Sequence, residues 1–207
     1  MSADPSIVAV LTGDIIKSTS LSLPERDALF IALKAGSNAM RAFQEAAPPF
    51  ERFSGDSWQL LLTQPQFALR ACLMLRAFIR RESKSFETRI SVGVGTIEPL
   101  SSEGLGASDG MAFQVSGRGL SALNSDQRFT INTDDLTAFI LADEISHHWT
   151  QAQARVVALA LATPRFTHES LSSALGITRQ SVGKHLKAAG APAIFLTLDE
   201  IETQRSL

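Results

Sequence analysis

The sequence predicts an α+β chain in two parts: a sheet domain over residues 1–143, then an all-α helix-turn-helix or winged-helix domain over 144–207. Three observations predict it. Apolar runs and helical periodicities follow one another as β α β β α β α β, the split βαβ or ferredoxin-like pattern with additions. Gly55-Asp56-Ser57 separates two strand-like runs, a hairpin signal. Between residues 166 and 190 a short helix, a turn glycine, a plugging Ile177 and a capped second helix follow at helix-turn-helix spacing.

Composition bounds the reading. The chain has 207 residues, enough for a proper core, and a formal net charge of −2, so no global field favours a polyanion. The charge is uneven: residues 1–145 carry −4 and residues 146–207 carry +2, so the tail favours an anionic partner. The single cysteine, Cys72, sits in an apolar helical pattern and reads as a core thiol, with no disulfide framework possible within the chain. No basic stretch precedes the first apolar run, and no segment approaches the ~20 apolar residues of a membrane span. The expectation is a soluble cytoplasmic protein with no membrane partner.

The elements follow in order. Residues 7–11, Ile-Val-Ala-Val-Leu, read as a strand buried on both faces, and Asp14 follows where it leaves the core. Gly13 lets the backbone turn or a ligand approach. Ser22 caps a helix with Pro24 in its first turn, running to about Ala46 with Leu29, Ile31, Leu33, Ala39, Met40 and Phe43 as its apolar side. Strands over 50–54 and 58–63 flank the hairpin. Pro65 opens a second helix with a basic end, Arg76, Arg80, Arg81 and Lys84, expected to be solvated and favoured by the macrodipole. A strand over 88–96 places Gly93 and Gly95 on one face, open to close contact. A loop over 99–109, a helix over 111–123, a short strand over 128–131 and a helix over 134–143 complete the first part. Residues 144–162 read as one helix. The adjacent His147 and His148 do not share a helical face, which argues against a metal pair. Residues 193–198 read as a strand or wing, and 199–203 as a last helical turn.

In a split βαβ sheet the first strand lies between the third and fourth, and the hairpin emerges beside its exit. Asp14 and Asp56 should therefore sit side by side, where two carboxylates repel unless a cation shares them. Mg²⁺ takes one or two carboxylates plus phosphate oxygens. The alternative is that both serve only turns.

These residues carry a resemblance. Asp14-Ile15-Ile16-Lys17-Ser18-Thr19 resembles a metal motif of class III nucleotidyl cyclases, Gly55-Asp56 their second metal motif, Arg89-Ile90-Ser91-Val92-Gly93 their R-x-G strand, and Gln114-Val115-Ser116-Gly117-Arg118 their N-x-x-x-R helix. More closely, TGDII-K-S, GDSWQ, RISVGVG and AFQ-x-SGRGL resemble the SatD family of bacterial proteins, itself similar to a cyclase domain. The resemblance covers about two-thirds of the chain. It implies that Asp14 and Asp56 hold Mg²⁺ or Mn²⁺ over a nucleoside triphosphate. The amides of Ile15, Ile16 and Lys17, with Ser18 beside them, would meet phosphate, and Arg118 and Gln114 would serve the transition state. It also implies a homodimer, because in that family the metal pair and the arginine come from different protomers. Two positions depart from the pattern: Gln114 replaces an asparagine, and Phe50 stands where the adenine-selecting lysine falls. Metal and phosphate binding carry over better than purine selection.

The tail reads separately. Thr178 caps the second helix of the pair, and Val182 and Leu186 hold it down. Arg179, Gln180, Ser181, Lys184, His185 and Lys187 remain on the other face, Arg and Gln suited to base edges and Lys and Ser to phosphates. The segment resembles the winged-helix regulators of bacteria. The alternative use of such a helical pair is dimerisation. Joined, the two parts predict a dimeric, nucleotide-responsive regulator that binds double-stranded DNA. The second expectation is a working nucleotidyl cyclase, converting a nucleoside triphosphate to a cyclic nucleotide plus pyrophosphate, with the tail as a regulatory element. The third is a scaffold that binds another protein.

Overall fold

The computed structural model describes residues 7–204. The outermost residues of the two expected units, 1–6 and 205–207, lie outside it. One sheet runs β2-β3-β1-β4-β5, built from β1 (Val8–Ile15), β2 (Phe50–Ser54), β3 (Ser57–Leu62), β4 (Thr88–Gly95) and β5 (Phe129–Ile131). β1 pairs antiparallel with both β3 and β4, the arrangement a split βαβ requires, and β5 joins β4 in parallel. β1 continues past its expected end at Leu11. Gly13 has Trp58 and Ile90 as cross-strand partners, and Asp14 has Ser57 and Arg89, so both residues are held in the ladder.

Alternation along β1 divides the core. Ala9 and Leu11 point to a large apolar cluster with α1 (Leu23–Ala39) and α2 (Ala68–Glu82). Val8 and Val10 point the other way, to a small cluster with Leu61, Leu105 and the first turn of α3 (Met111–Ala122). That close approach explains the glycines of β4: a Cβ on Gly93 would lie 2.1 Å from the carbonyl oxygen of Ala112. α1 starts as expected, with a reciprocal capping box between Ser22 and Glu25. It stops at Ala39 instead of near Ala46, after the poor helix formers Gly36-Ser37-Asn38, and Ile31 turns out 70% exposed.

α2 is buried all round from Ala68 to Arg80, sandwiched between the sheet and α5 (Gln151–Ala162). Two of the four basic residues at its end, Arg76 and Arg80, are therefore not solvated, whereas Arg81 is half-buried and Lys84 exposed as expected. Arg76 is fully buried and reaches Glu87 at 3.3 Å; its second guanidinium nitrogen lies 2.7 Å from Asp143, outside hydrogen-bond alignment. Arg80 pairs with the other oxygen of Glu87. The remaining oxygen of Asp143 accepts the Arg128 and Phe129 amides at the start of β5, at 2.7 and 3.1 Å. Cys72 is buried in the same helix, and burial pushes its thiol well above the ordinary range, as suits a core residue.

The tail departs from expectation in three places. The 143/144 division falls inside α4 (Leu136–His147). The expected helix over 144–162 is broken at Thr150, which caps α5 in a capping box with Gln153. Residues 193–198 form no strand or wing: they belong to α8 (Ala191–Gln204), which has Pro192 in its first turn and whose Ile194 and Leu198 are buried at helical spacing. The tail shares the main apolar core, and Arg70 of α2 clasps Glu202 of α8 through two bonds of 2.7 and 2.8 Å. No helix among the described residues is long and apolar enough to cross a membrane.

Candidate functional site

The backbone brings Asp14 and Asp56 next to each other at one end of the sheet. The Ile15 amide donates to the Asp56 carbonyl at 3.2 Å, and Asp14 sits opposite Ser57. The cation that meets Asp14 is a side chain, which sequence reasoning left unassigned. Arg89, opposite Asp14 on β4, donates from Nε to one Asp14 oxygen at 2.9 Å and from a terminal nitrogen to the other. That hydrogen bonding holds the Arg89 guanidinium above its ordinary range, and the charge of Asp56 adds to the effect. Both members of the pair are partly solvent-exposed, Asp14 by 20% and Arg89 by 32%. The Asp56 carboxylate accepts the Ser18 hydroxyl at 2.6 Å.

The backbone behind this turn is tightly engaged. Thr88 donates its hydroxyl to the Asp14 carbonyl at 2.6 Å and accepts the Trp58 indole N–H at 3.0 Å. Trp58 also accounts for Gly13: a Cβ there would lie 2.3 Å from its ring, so the glycine admits an indole and not a ligand. Two of the amides expected at a phosphate are already used, Ile15 by Asp56 and Ile16 by the Glu87 carbonyl at 3.0 Å. Lys17 follows with a left-handed backbone, φ 55° and ψ 36°, and an exposed side chain.

The other expected site residues divide. Gln114 and Arg118 both lie exposed on α3, one turn apart. α3 covers the sheet face to which Asp14 belongs, pinned by a 2.7 Å hydrogen bond between Thr12 and Ser116. Gln114 is tied back to Asp109 at 3.1 Å, and the Gly110 amide and Gln114 together hold that carboxyl below its usual range. Phe50 lies on the opposite face, stacked on Trp58 with ring centroids 5.8 Å apart and with Lys34 over its ring. It is not brought to the acidic turn.

Two carboxylates suit Mg²⁺ or Mn²⁺ only as a partial ligand set. Among the described residues no group of three or more His, Cys, Asp or Glu side chains gathers in a metal-holding arrangement. An ion bound there would have to bring its own phosphate oxygens and compete with Arg89 for Asp14.

The second candidate surface is helical. Thr167 caps α6 (His168–Leu175), Gly176 ends it with φ 66°, and Thr178 caps α7 (Arg179–Ala188) by accepting the Ser181 amide at 3.1 Å. The positive φ is the conformation a glycine supplies cheaply. Val182 and Leu186 are buried against α5 and α6, whereas Thr178, Arg179, Gln180, Lys184 and Lys187 are exposed and Ser181 and His185 half-buried. Arg179 reaches Glu169 at 3.1 Å across the turn.

No protein-family model matches the chain, and no curated protein does. Solved structures similar to it include the guanylyl cyclase Cya2, at 17% identity and a TM-score of 0.48 over 67% of this chain and 80% of that one. A bacterial light-regulated adenylyl cyclase gives 15% and 0.43 over 62% and 77%. The adenylyl cyclase CyaB from P. aeruginosa gives 17% and 0.42 over 65% and 80%.

Proposed function

We propose that the chain is a dimeric, cytoplasmic DNA-binding regulator that reads duplex DNA with α7 and takes up a nucleotide with Mg²⁺ or Mn²⁺ at the Asp14–Asp56 turn. One observation carries this reading: the α6–Gly176–α7 unit sets Gln180, Lys184 and Lys187 on an exposed stripe opposite the buried Val182 and Leu186. A stripe of that chemistry suits a major groove, with Gln180 near the helix start for base edges and the lysines for phosphates. In a two-fold dimer the two α7 helices would enter successive major grooves about 34 Å apart. At the acidic turn the incoming ion would replace Arg89 beside Asp14, and phosphate oxygens would complete its shell near the Lys17 and Ser18 amides.

The test has two arms. Fluorescence anisotropy with labelled duplex DNA of random sequence should show binding that weakens steeply with salt and is reduced in Lys184→Ala and Lys187→Ala. Thermal shift against a nucleotide panel should show stabilisation only with a divalent ion present, lost in Asp14→Asn. Failure of both arms would leave the scaffold reading.

A second reading is a nucleotidyl cyclase, favoured by the position of α3. Its Arg118 and Gln114 belong to the helix that covers the Asp14 face of the sheet. Pyrophosphate and cyclic nucleotide released from a nucleoside triphosphate with Mn²⁺, and abolished in Asp14→Ala and Asp56→Ala, would favour it.

A further inference from the structure

A hollow of about 430 Å³ opens where the connection between α5 and α6 passes α8. Three phenylalanines line it: Phe43 from the stretch after α1, Phe166 from the connection and Phe195 from α8, each half-buried. Phe166 and Phe195 lie with ring centroids 5.1 Å apart and planes tilted by 51°. Phe43 carries the Arg70 guanidinium over its ring, 4.2 Å from the centre. Arg70 is itself committed, because all three of its nitrogens donate, two to Glu202 and one to the Leu161 carbonyl. The other charged lining residues are Arg165 and Asp199, both exposed. Neither makes a hydrogen bond or an ion pair among the described residues. Asp199 follows Phe195 by one turn on the same side of α8, and its charge acts on Glu202 beside it. Arg165 has a left-handed backbone, φ 53°, which among the described non-glycine residues it shares only with Lys17 of the acidic turn.

We propose that this hollow binds a free aromatic amino acid, with its ring among the three phenylalanines, its carboxylate on Arg165 and its ammonium on Asp199. The volume lies within the ~300–1,000 Å³ range of small-molecule sites. Tilted aromatic walls favour a ring over an aliphatic body, because a ring pairs with them edge to face as well as by burial. The planar guanidinium of Arg165 meets a carboxylate through two parallel N–H groups. One charge of each sign suits a zwitterion better than a simple anion or cation. A nucleotide would bring its phosphates towards Asp199 and Glu202 with Arg165 alone to balance them. The proposal rests on neither the acidic turn nor DNA binding.

The experiment titrates L-tryptophan calorimetrically into the full chain, without divalent ions. Three comparison probes each lack one feature: tryptamine the carboxylate, indole-3-propionate the ammonium, and L-leucine the ring. The expected result is a single site for L-tryptophan, with each comparison probe weaker by about tenfold or more. Arg165→Asp, an exchange that the left-handed backbone tolerates, should make tryptamine bind tighter than L-tryptophan. Asp199→Asn should bring indole-3-propionate to within severalfold of L-tryptophan. Both positions are exposed, so the two variants should melt close to the parent, with circular dichroism as the check on folding. Phe195→Leu keeps an apolar side chain and should weaken L-tryptophan severalfold. Absence of L-tryptophan binding at millimolar concentration overturns the proposal. So does tryptamine, indole-3-propionate or L-leucine binding as tightly as L-tryptophan, or L-tryptophan binding unchanged in folded Arg165→Asp. Adenosine monophosphate binding tighter than L-tryptophan, and lost in Arg165→Asp, would assign the hollow to a nucleotide and also overturn it.

Discussion

Arg89 sets the chemistry of the acidic turn, because it already neutralises Asp14 through a two-pronged pair. A divalent ion must compete with that charge. Two unit charges about 4 Å apart in water interact by about 1 kcal/mol, and a doubly charged ion feels about twice that. Arg89→Ala should therefore tighten binding of Mn²⁺ alone by roughly thirtyfold, read by electron paramagnetic resonance of free Mn²⁺; unchanged affinity would mean that Arg89 does not compete. The pair is partly exposed, so its loss should change folding stability by less than about 1 kcal/mol. Gly13 is the opposite kind of residue, with a role set by packing. Gly13→Ala drives a methyl into the Trp58 ring and should cost about 1–3 kcal/mol in urea unfolding. The two residues also mark how far the sequence could be read at this scale. That the backbone brings Asp14 and Asp56 together follows from strand order and one hairpin. That Arg89 faces Asp14 depends on the register between β1 and β4, which distant residues determine. That Gly13 serves Trp58 is invisible until β3 is laid beside β1.

Among the elements, α7 makes the sharpest prediction. Lys184 and Lys187 are exposed one turn apart, so each alanine substitution should weaken binding to all duplexes alike and lower the slope of log affinity against log salt by about 1. Gln180→Ala should instead leave the slope unchanged and relax sequence preference. An unchanged salt slope in Lys184→Ala would remove α7 from the DNA. The helix pair was legible because each signal is local: Gly176 for the turn, Thr178 for the cap, and Val182 and Leu186 for the buried side. The same local chemistry was present at Thr150 and Gln153, where a capping box splits what the apolar spacing alone reads as one helix. The apolar run in residues 193–198 misled for a different reason. Ile194, Phe195 and Leu196 suit a strand by composition, but Pro192 lies in the first turn of a helix and Ile194, Leu198 and Ile201 share a face packed on the core.

At the scale of the whole molecule, α2 joins the sheet to the tail. Its almost unbroken apolar sequence from Ala68 to Ile79 leaves no solvated face, which is why its arginines find carboxylates instead of water. Removing Arg76 strips buried Asp143 of its guanidinium partner and leaves Glu87 with Arg80 alone of its two arginines; Arg76→Met should destabilise the chain by about 3–5 kcal/mol, measured by urea denaturation. The clasp at the other end of α2 behaves differently with pH. Burial raises the Glu202 carboxyl above its ordinary 4.5, although the bonds from Arg70 oppose the rise. With its folded value above its unfolded one, the folded chain binds more protons than the unfolded chain between the two. The stability this group contributes is fully present below about 4.5 and is lost as pH rises through the folded value. Glu202→Gln lacks that titration. The stability of the parent relative to Glu202→Gln should therefore fall from pH 4 to pH 7, read from urea midpoints at ~0.5-unit steps. A relative stability that climbs over the same interval would mean that Arg70 outweighs burial, and that the tail is held to the sheet by an ion pair that strengthens as the carboxyl ionises.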